Sequence, residues 1–319
     1  MSFDNYIFKY KEDSTLKHKP IQLTPHLTQL GTSSFPVYLS MGEEGMIIEG
    51  GTGPTYEIIV SQIKAMGIDP MKIKYIALTH THGDHVGAVP RFRKLWPHIK
   101  VLAGATAGKF LKKDRFVKDF LPSDKMIGNL LLERGDIDQL PDELDEYRFE
   151  ADAVLDESAV IDLGKGVKWT VYNTPGHSPC HISFYEELEG TIAIGDITGY
   201  YDPAKDIFWP NYFSSLEHYC DSIKKMLSVP ANRAILSHNG QISYNIKEYF
   251  KKALRATEAY HLEILDKIKK GEDDDKISSE KADWICSIGA LATYNVLTFL
   301  CKMLINNSRA SQEKNLFDY

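Results

Sequence analysis

A chain of 319 residues with 43% hydrophobic and 25% charged side chains has the ordinary balance of a soluble globular protein. It is long enough for one large domain, or for a domain with a sizeable addition. The net charge of −7 and the lack of a basic tract exclude a phosphate-backbone partner, so no nucleic acid is expected.

Residues 1–20 are polar and read as a loose arm. Ile21 to Leu30, Val37 to Ser40 and Met46 to Glu49 read as short strands, with Gly42-Glu43-Glu44-Gly45 as a turn. Tyr56 to Met66 has helical spacing in Ile58, Ile59, Ile63 and Met66. A strand over 73–78 follows, then a helix from Val86 through Trp96, then a strand over 99–102. Two helical patterns, Ala105 to Lys113 and Phe116 to Arg134, and a hydrophilic stretch to Glu150 read as an insertion over 104–150. Strands resume at 153–155, 160–161 and 167–172, and 182–185 with 191–194 looks like a hairpin. Ser214 to Leu227 is an amphipathic helix, and 234–236 is a short strand. From Asn245 the pattern is helical. Ile246, Tyr249, Phe250, Leu254, Ile264, Leu265 and Ile268 form one stripe, the acidic run 272–275 interrupts it, and a last helix spans about 287–306.

Cys180, Cys220, Cys286 and Cys301 lie far apart with no Cys-x-x-Cys pair. Reduced thiols in a cytoplasmic protein are expected, not a disulfide framework. Met1 to Tyr6 lacks the charged-then-apolar form of an export signal. The longest apolar stretch, Ile288 to Leu300, is broken by Thr293, Asn295 and Thr298, too short and too polar to span a bilayer.

The densest chemistry is Thr79-His80-Thr81-His82-Gly83-Asp84-His85, directly after the strand over 73–78. Crowding three imidazoles and a carboxylate costs free energy unless they bind something, and a divalent metal satisfies all of them. Neutral imidazole and carboxylate suit zinc, iron or manganese. His80 and His82 are two apart on an extended segment, so their rings share one side. Gly83 permits a sharp turn, after which Asp84 and His85 point elsewhere. Further along, His177 in Thr174-Pro175-Gly176-His177, Asp196 and His238 each stand at the end of a strand.

His80-x-His82-x-Asp84-His85 resembles the signature of the metallo-β-lactamase superfamily. The resemblance implies an αβ/βα sandwich with a two-metal site at one edge of its sheets. It implies that His80, His82 and His177 bind the first metal, that Asp84, His85 and His238 bind the second, and that Asp196 bridges both. His181 is then a support and not a ligand, and Cys180 a small buried residue. The metals, about 3.5–4 Å apart, would make a hydroxide near neutral pH that attacks a carbonyl. Asp84 could accept or relay a proton.

Ile47-Ile48-Glu49-Gly50-Gly51, Gly195-Asp196-Ile197-Thr198-Gly199, Trp209-Pro210 and Phe213 resemble most the branch of thioesterase-like proteins that respond to alkyl-quinolone signals. That likeness implies a core over 20–244, carrying the 104–150 insertion, and a C-terminal helical cap over 245–319. It also implies a small acyl thioester or ester as substrate, and iron as an option beside zinc. Where that branch has a glutamate, this chain has Tyr200, whose phenol could hydrogen-bond a carbonyl oxygen. Tyr200, Trp209, Tyr212 and Phe213 are expected to wall the substrate pocket. The tail is also compatible with a homodimer contact. The competing readings are a regulatory protein that keeps the fold without turnover, and a diiron protein handling oxygen or NO. Relatives of the diiron kind carry glutamate where His82 stands.

Overall fold

The computed structural model describes residues 16–311 and 315–318. Most of the arm expected over 1–20 therefore lies outside the described residues. The chain divides into two compact units. The first runs to Thr170 and includes Glu186–Glu189; the second is Val171–Tyr185 with Gly190–Tyr319.

The first unit is built on a seven-stranded sheet in sequence order. β1 (Ile21–Thr24), β2 (Leu27–Gly31), β3 (Pro36–Met41) and β4 (Gly45–Ile48) form an antiparallel meander. The single strand expected over 21–30 is instead two, because Pro25 and His26 form the turn that pairs Thr24 with Leu27. β5 (Ile73–Ala77), β6 (Lys100–Gly104) and β7 (Ala153–Leu155) then add in parallel. Parallel neighbours need long crossovers. These contain α1 (Tyr56–Ala65), then α2 (Gly83–Val86) with α3 (Val89–Leu95), then α4 (Ala105–Leu111) with α5 (Phe116–Glu133). Val37, Leu39, Ile47, Ile48 and Ile76 are fully buried, as expected of strands covered on both faces.

α5 lies against the start of α2 and against residues 52–53. Its Asp124 is buried and accepts hydrogen bonds from Thr52 Oγ1 and the Gly53 amide, both at 2.7 Å. Burial raises this carboxyl's pKa, and the two donors oppose that. Gly87, at the end of α2, makes the approach possible: a β-carbon there would lie 2.2 Å from Asp124 Oδ1.

β8 (Val160–Asp162) pairs antiparallel with the first half of β9 (Lys168–Asn173). Trp169, on β9, donates its indole N–H to Ser40 Oγ at 2.9 Å. The second half of β9 belongs to the second unit. There β10 (Ile182–Glu186), β11 (Thr191–Gly195), β14 (Arg233–Leu236) and β15 (Gln241–Ile242) follow side by side. β11 and β14 are parallel, joined through a hairpin of β12 (Tyr200–Asp202) and β13 (Ile207–Trp209) and through α6 (Leu216–Leu227). The hairpin was not expected, since three-residue strands are too short to show alternation.

α7 (Ile246–Lys269), α8 (Asp274–Ile288) and α9 (Tyr294–Ala310) complete the second unit, sharing one apolar cluster with β11, α6 and the hairpin. The acidic run is the start of α8. The Asp273 side chain caps the Lys276 amide at 2.8 Å, and Asp274 and Asp275 occupy the positive first turn. The last helix starts later than the expected 287, because Gly289 ends α8 at φ 89°. Among the described residues no helix is long and apolar enough to cross a membrane.

Candidate metal centre

In the first unit, β5 delivers the motif and α2 turns it. His82 is the N-cap of α2 in an extended conformation, while Asp84 and His85 lie on its first turn. His80 and His85 are buried, His82 and Asp84 half-buried. His80 Nε2 lies 3.0 Å from His82 Nδ1, and His85 Nε2 lies 3.4 Å from Asp84 Oδ2.

Glu49 organises this half. It follows β4 at φ 76°, and its amide donates to the Ala77 carbonyl beside the motif. Its buried carboxylate accepts from His85 Nδ1–H at 3.1 Å and from the Thr79 hydroxyl at 2.8 Å. Thr79 has thereby used its proton, so at 3.0 Å His80 Nδ1–H donates to Thr79 Oγ1. His80 and His85 are both left presenting Nε2 as a lone pair. Metal-binding histidines are oriented in this way by outer partners. Sequence reasoning noticed Glu49 only as part of a likeness and gave it no role.

In the second unit, His177 follows the Pro175-Gly176 turn and donates Nδ1–H to the Asn211 carbonyl at 3.0 Å. Its Nε2 lies 3.4 Å from Asp196 Oδ2, and His238 Nε2 lies 3.7 Å from the same oxygen. His181 Nε2 accepts the Asp196 amide at 3.0 Å, and its other nitrogen faces Thr174 Oγ1 at 2.9 Å. Its ring supports the Asp196 backbone. Cys180 is buried, with Ser178 Oγ at 3.4 Å.

The structure thus brings together His80, His82, Asp84 and His85 in one unit, and His177, Asp196 and His238 in the other. Donors about 2.1 Å from one ion at a near-tetrahedral angle sit about 3.4 Å apart. The observed 3.0–3.7 Å separations and the nitrogen-and-carboxylate chemistry fit a divalent cation.

Residues 32–238 match the family model described as the metallo-beta-lactamase superfamily. The chain belongs to that superfamily. All seven residues fall inside the matched span. The metallo-beta-lactamase fold-containing protein ST1585 of Sulfurisphaera tokodaii is 26% identical over 196 residues, 60% of this chain and 70% of that protein. Its solved structure covers 90% of this chain and 99% of its own, at TM-score 0.54 and 20% identity, a likeness of fold. The N-acyl homoserine lactonase AttM of Agrobacterium fabrum is 31% identical over 129 residues, 40% of this chain and 41% of the lactonase. An atrochrysone carboxyl ACP thioesterase of Pseudocercospora fijiensis is 30% identical over 112 residues, 31% of this chain and 32% of the thioesterase. The matched stretch takes in less than half of either enzyme. The superfamily assignment carries the expected fold, mixed sheets flanked by helices with a helical C-terminal segment, and its members include metal-binding hydrolases.

The aromatic residues divide. Phe213 is half-buried, its ring 5.3 Å from His177, and Tyr200 is half-buried, its ring 6.5 Å from His238. Trp209 is buried behind Phe213, ring centres 6.1 Å apart. Tyr212, expected to wall the pocket, has 0% of its surface exposed and bonds Ser308 Oγ at 2.8 Å. It is a core residue, and its run of aromatic neighbours gave the sequence no means of separating core from wall.

Proposed function

We propose that this metallo-β-lactamase-fold chain is a metal-dependent hydrolase of small acyl thioesters or other esters. In this reading His80, His82 and His177 hold one divalent ion, Asp84, His85 and His238 hold a second, and Asp196 serves both. Zinc and iron both suit this donor set, and manganese is compatible. The observation that carries the reading is the full donor set in family order, each half already oriented by buried hydrogen bonds such as those of Glu49. Bound divalent ions supply Lewis-acid polarisation of a carbonyl and bring the pKa of water toward neutrality.

The chain's own residues do the rest. Asp84, half-buried beside His85, accepts the proton released when water adds to the carbonyl carbon. The Tyr200 phenol donates a hydrogen bond to the substrate carbonyl oxygen, and Phe213 lies along the acyl group. The C–S or C–O bond breaks, giving an acid and a thiol or alcohol. The lactonase and thioesterase relatives support an acyl substrate, as does the sequence likeness to the alkyl-quinolone-signal branch.

The test is a turnover screen of metal-loaded protein on acyl-CoA, glutathione thioesters, lactones and phosphodiesters. Turnover is expected on a thioester or ester, lost to a chelator and regained with metal. Full metal occupancy with no turnover on any ester would instead establish the regulatory reading. Glu49→Gln should weaken metal binding by about 10–100-fold, the usual effect of losing an outer partner. Competition against a chromophoric chelator measures this, and an unchanged affinity would remove Glu49 from the site.

A further inference from the structure

Three routes run from the donors of the second unit to its C-terminal helices, two through hydrogen bonds and one through a ring contact. The first begins at His177. The Asn211 carbonyl that holds its Nδ1–H precedes Tyr212, whose own carbonyl accepts from Asn307 Nδ2 on α9 at 2.7 Å. The Tyr212 hydroxyl meets Ser308 Oγ, also on α9. The second begins at Asp196. Its carbonyl accepts the Gly199 amide, closing a turn that contains Thr198, and Thr198 Oγ1 meets the Tyr249 hydroxyl of α7 at 2.8 Å. Both groups are buried. The third begins at His238. Its neighbour Asn239, held at φ 61°, donates Nδ2–H to the Tyr201 carbonyl at 2.8 Å. The Tyr201 ring packs edge-to-face on Tyr249, centres 5.2 Å apart.

We propose that α7 and α9 belong to the support of the metal centre, with Tyr249 and Asn307 as positioning residues that fix the backbone bearing Asp196, His238 and His177. This rests on the metal-binding reading of those three residues. The segments 196–199 and 210–213 lie outside the strands that flank them, so their conformation depends on what holds them from outside. Burial raises the pKa of the Tyr249 phenol and keeps it a neutral O–H. The supporting side chains lie beyond residue 238, where the family model stops matching. In this arrangement the tail sets how closely three donors converge.

The test uses full-length apoprotein as wild type, Tyr249→Phe, Asn307→Ala and a control, Phe299→Ala, which alters an exposed side chain on α9. Zinc affinity is read by competition with a chromophoric chelator, and thermal stability is read on the same metal-free samples. Tyr249→Phe and Asn307→Ala should each bind zinc about tenfold more weakly, the lower end of the range for outer partners. The control should bind as wild type does. A purely structural role would lower the stability of the apoprotein and leave the affinity of the folded fraction unchanged, and that result overturns the proposal. Tyr249→Phe keeps the ring and its packing, so it remains informative if Asn307→Ala folds poorly. A wild type that binds no zinc, iron or manganese would overturn the metal reading itself, an outcome distinct from equal binding by all variants.

Discussion

Asp196→Ala is expected to lower ester turnover by more than about a hundredfold, since even outer partners of a metal commonly contribute 10–100-fold. His82→Ala should do the same. Asp196 places one carboxylate oxygen within 3.4 Å and 3.7 Å of two histidine nitrogens, and on the proposed reading its removal takes away the carboxylate that the two ions would share. The fold should survive each change. The bond from the Asp196 backbone to His181 uses its amide and not its side chain. His82 is half-buried and makes no capping bond to α2, so its loss removes no helix cap. Far-UV circular dichroism checks the fold, and metal content with initial rates checks the site. Turnover unchanged in either variant would rule out the seven-residue assignment.

Gly176→Ala should be the most destabilising conservative change near the site. Gly176 adopts φ 130°, a region that side chains rarely enter, and a β-carbon there would lie 2.2 Å from the Tyr219 backbone nitrogen. Backbone cannot rotate away as a flexible side chain can. The Gly176 carbonyl also accepts the amides of Ser214 and Ser215, which lead into α6, so the turn and the helix start would have to separate together. Strained conformations alone cost about 1–3 kcal/mol, and the overlap adds to this, so a loss of at least about 3 kcal/mol is expected. His177 is the next residue, and metal affinity should fall with stability. A urea midpoint within error of wild type would show that the turn can relax, and would contradict the packing described.

The clustering of the candidate donors was legible because four of them crowd into six residues between a clear strand and a helix start. His177, Asp196 and His238 were legible only once the motif demanded them, as each is a single polar residue at a strand end. Glu49 and Asn211 were not legible as site residues. Each acts through contacts made by folding, Glu49 with Thr79 and with His85 36 positions away, and Asn211 with His177 34 positions away. No local pattern records such a contact. The break between α8 and α9 was hidden for another reason. Gly289 sits within an apolar run whose periodicity reads as continuous, and the left-handed cap appears only in the backbone. Tyr212 and Phe213 show the limit of composition: adjacent aromatic residues, one sealed in the core and one beside His177.

The most direct measurement is the metal content of protein purified without added metal, by elemental mass spectrometry, on wild type and Asp196→Ala together. The expected result is about two equivalents of a divalent zinc- or iron-group ion per wild-type chain, as a paired site requires, and a clear deficit in the variant. A wild type holding one equivalent or none, or a variant that retains the full complement, would contradict it.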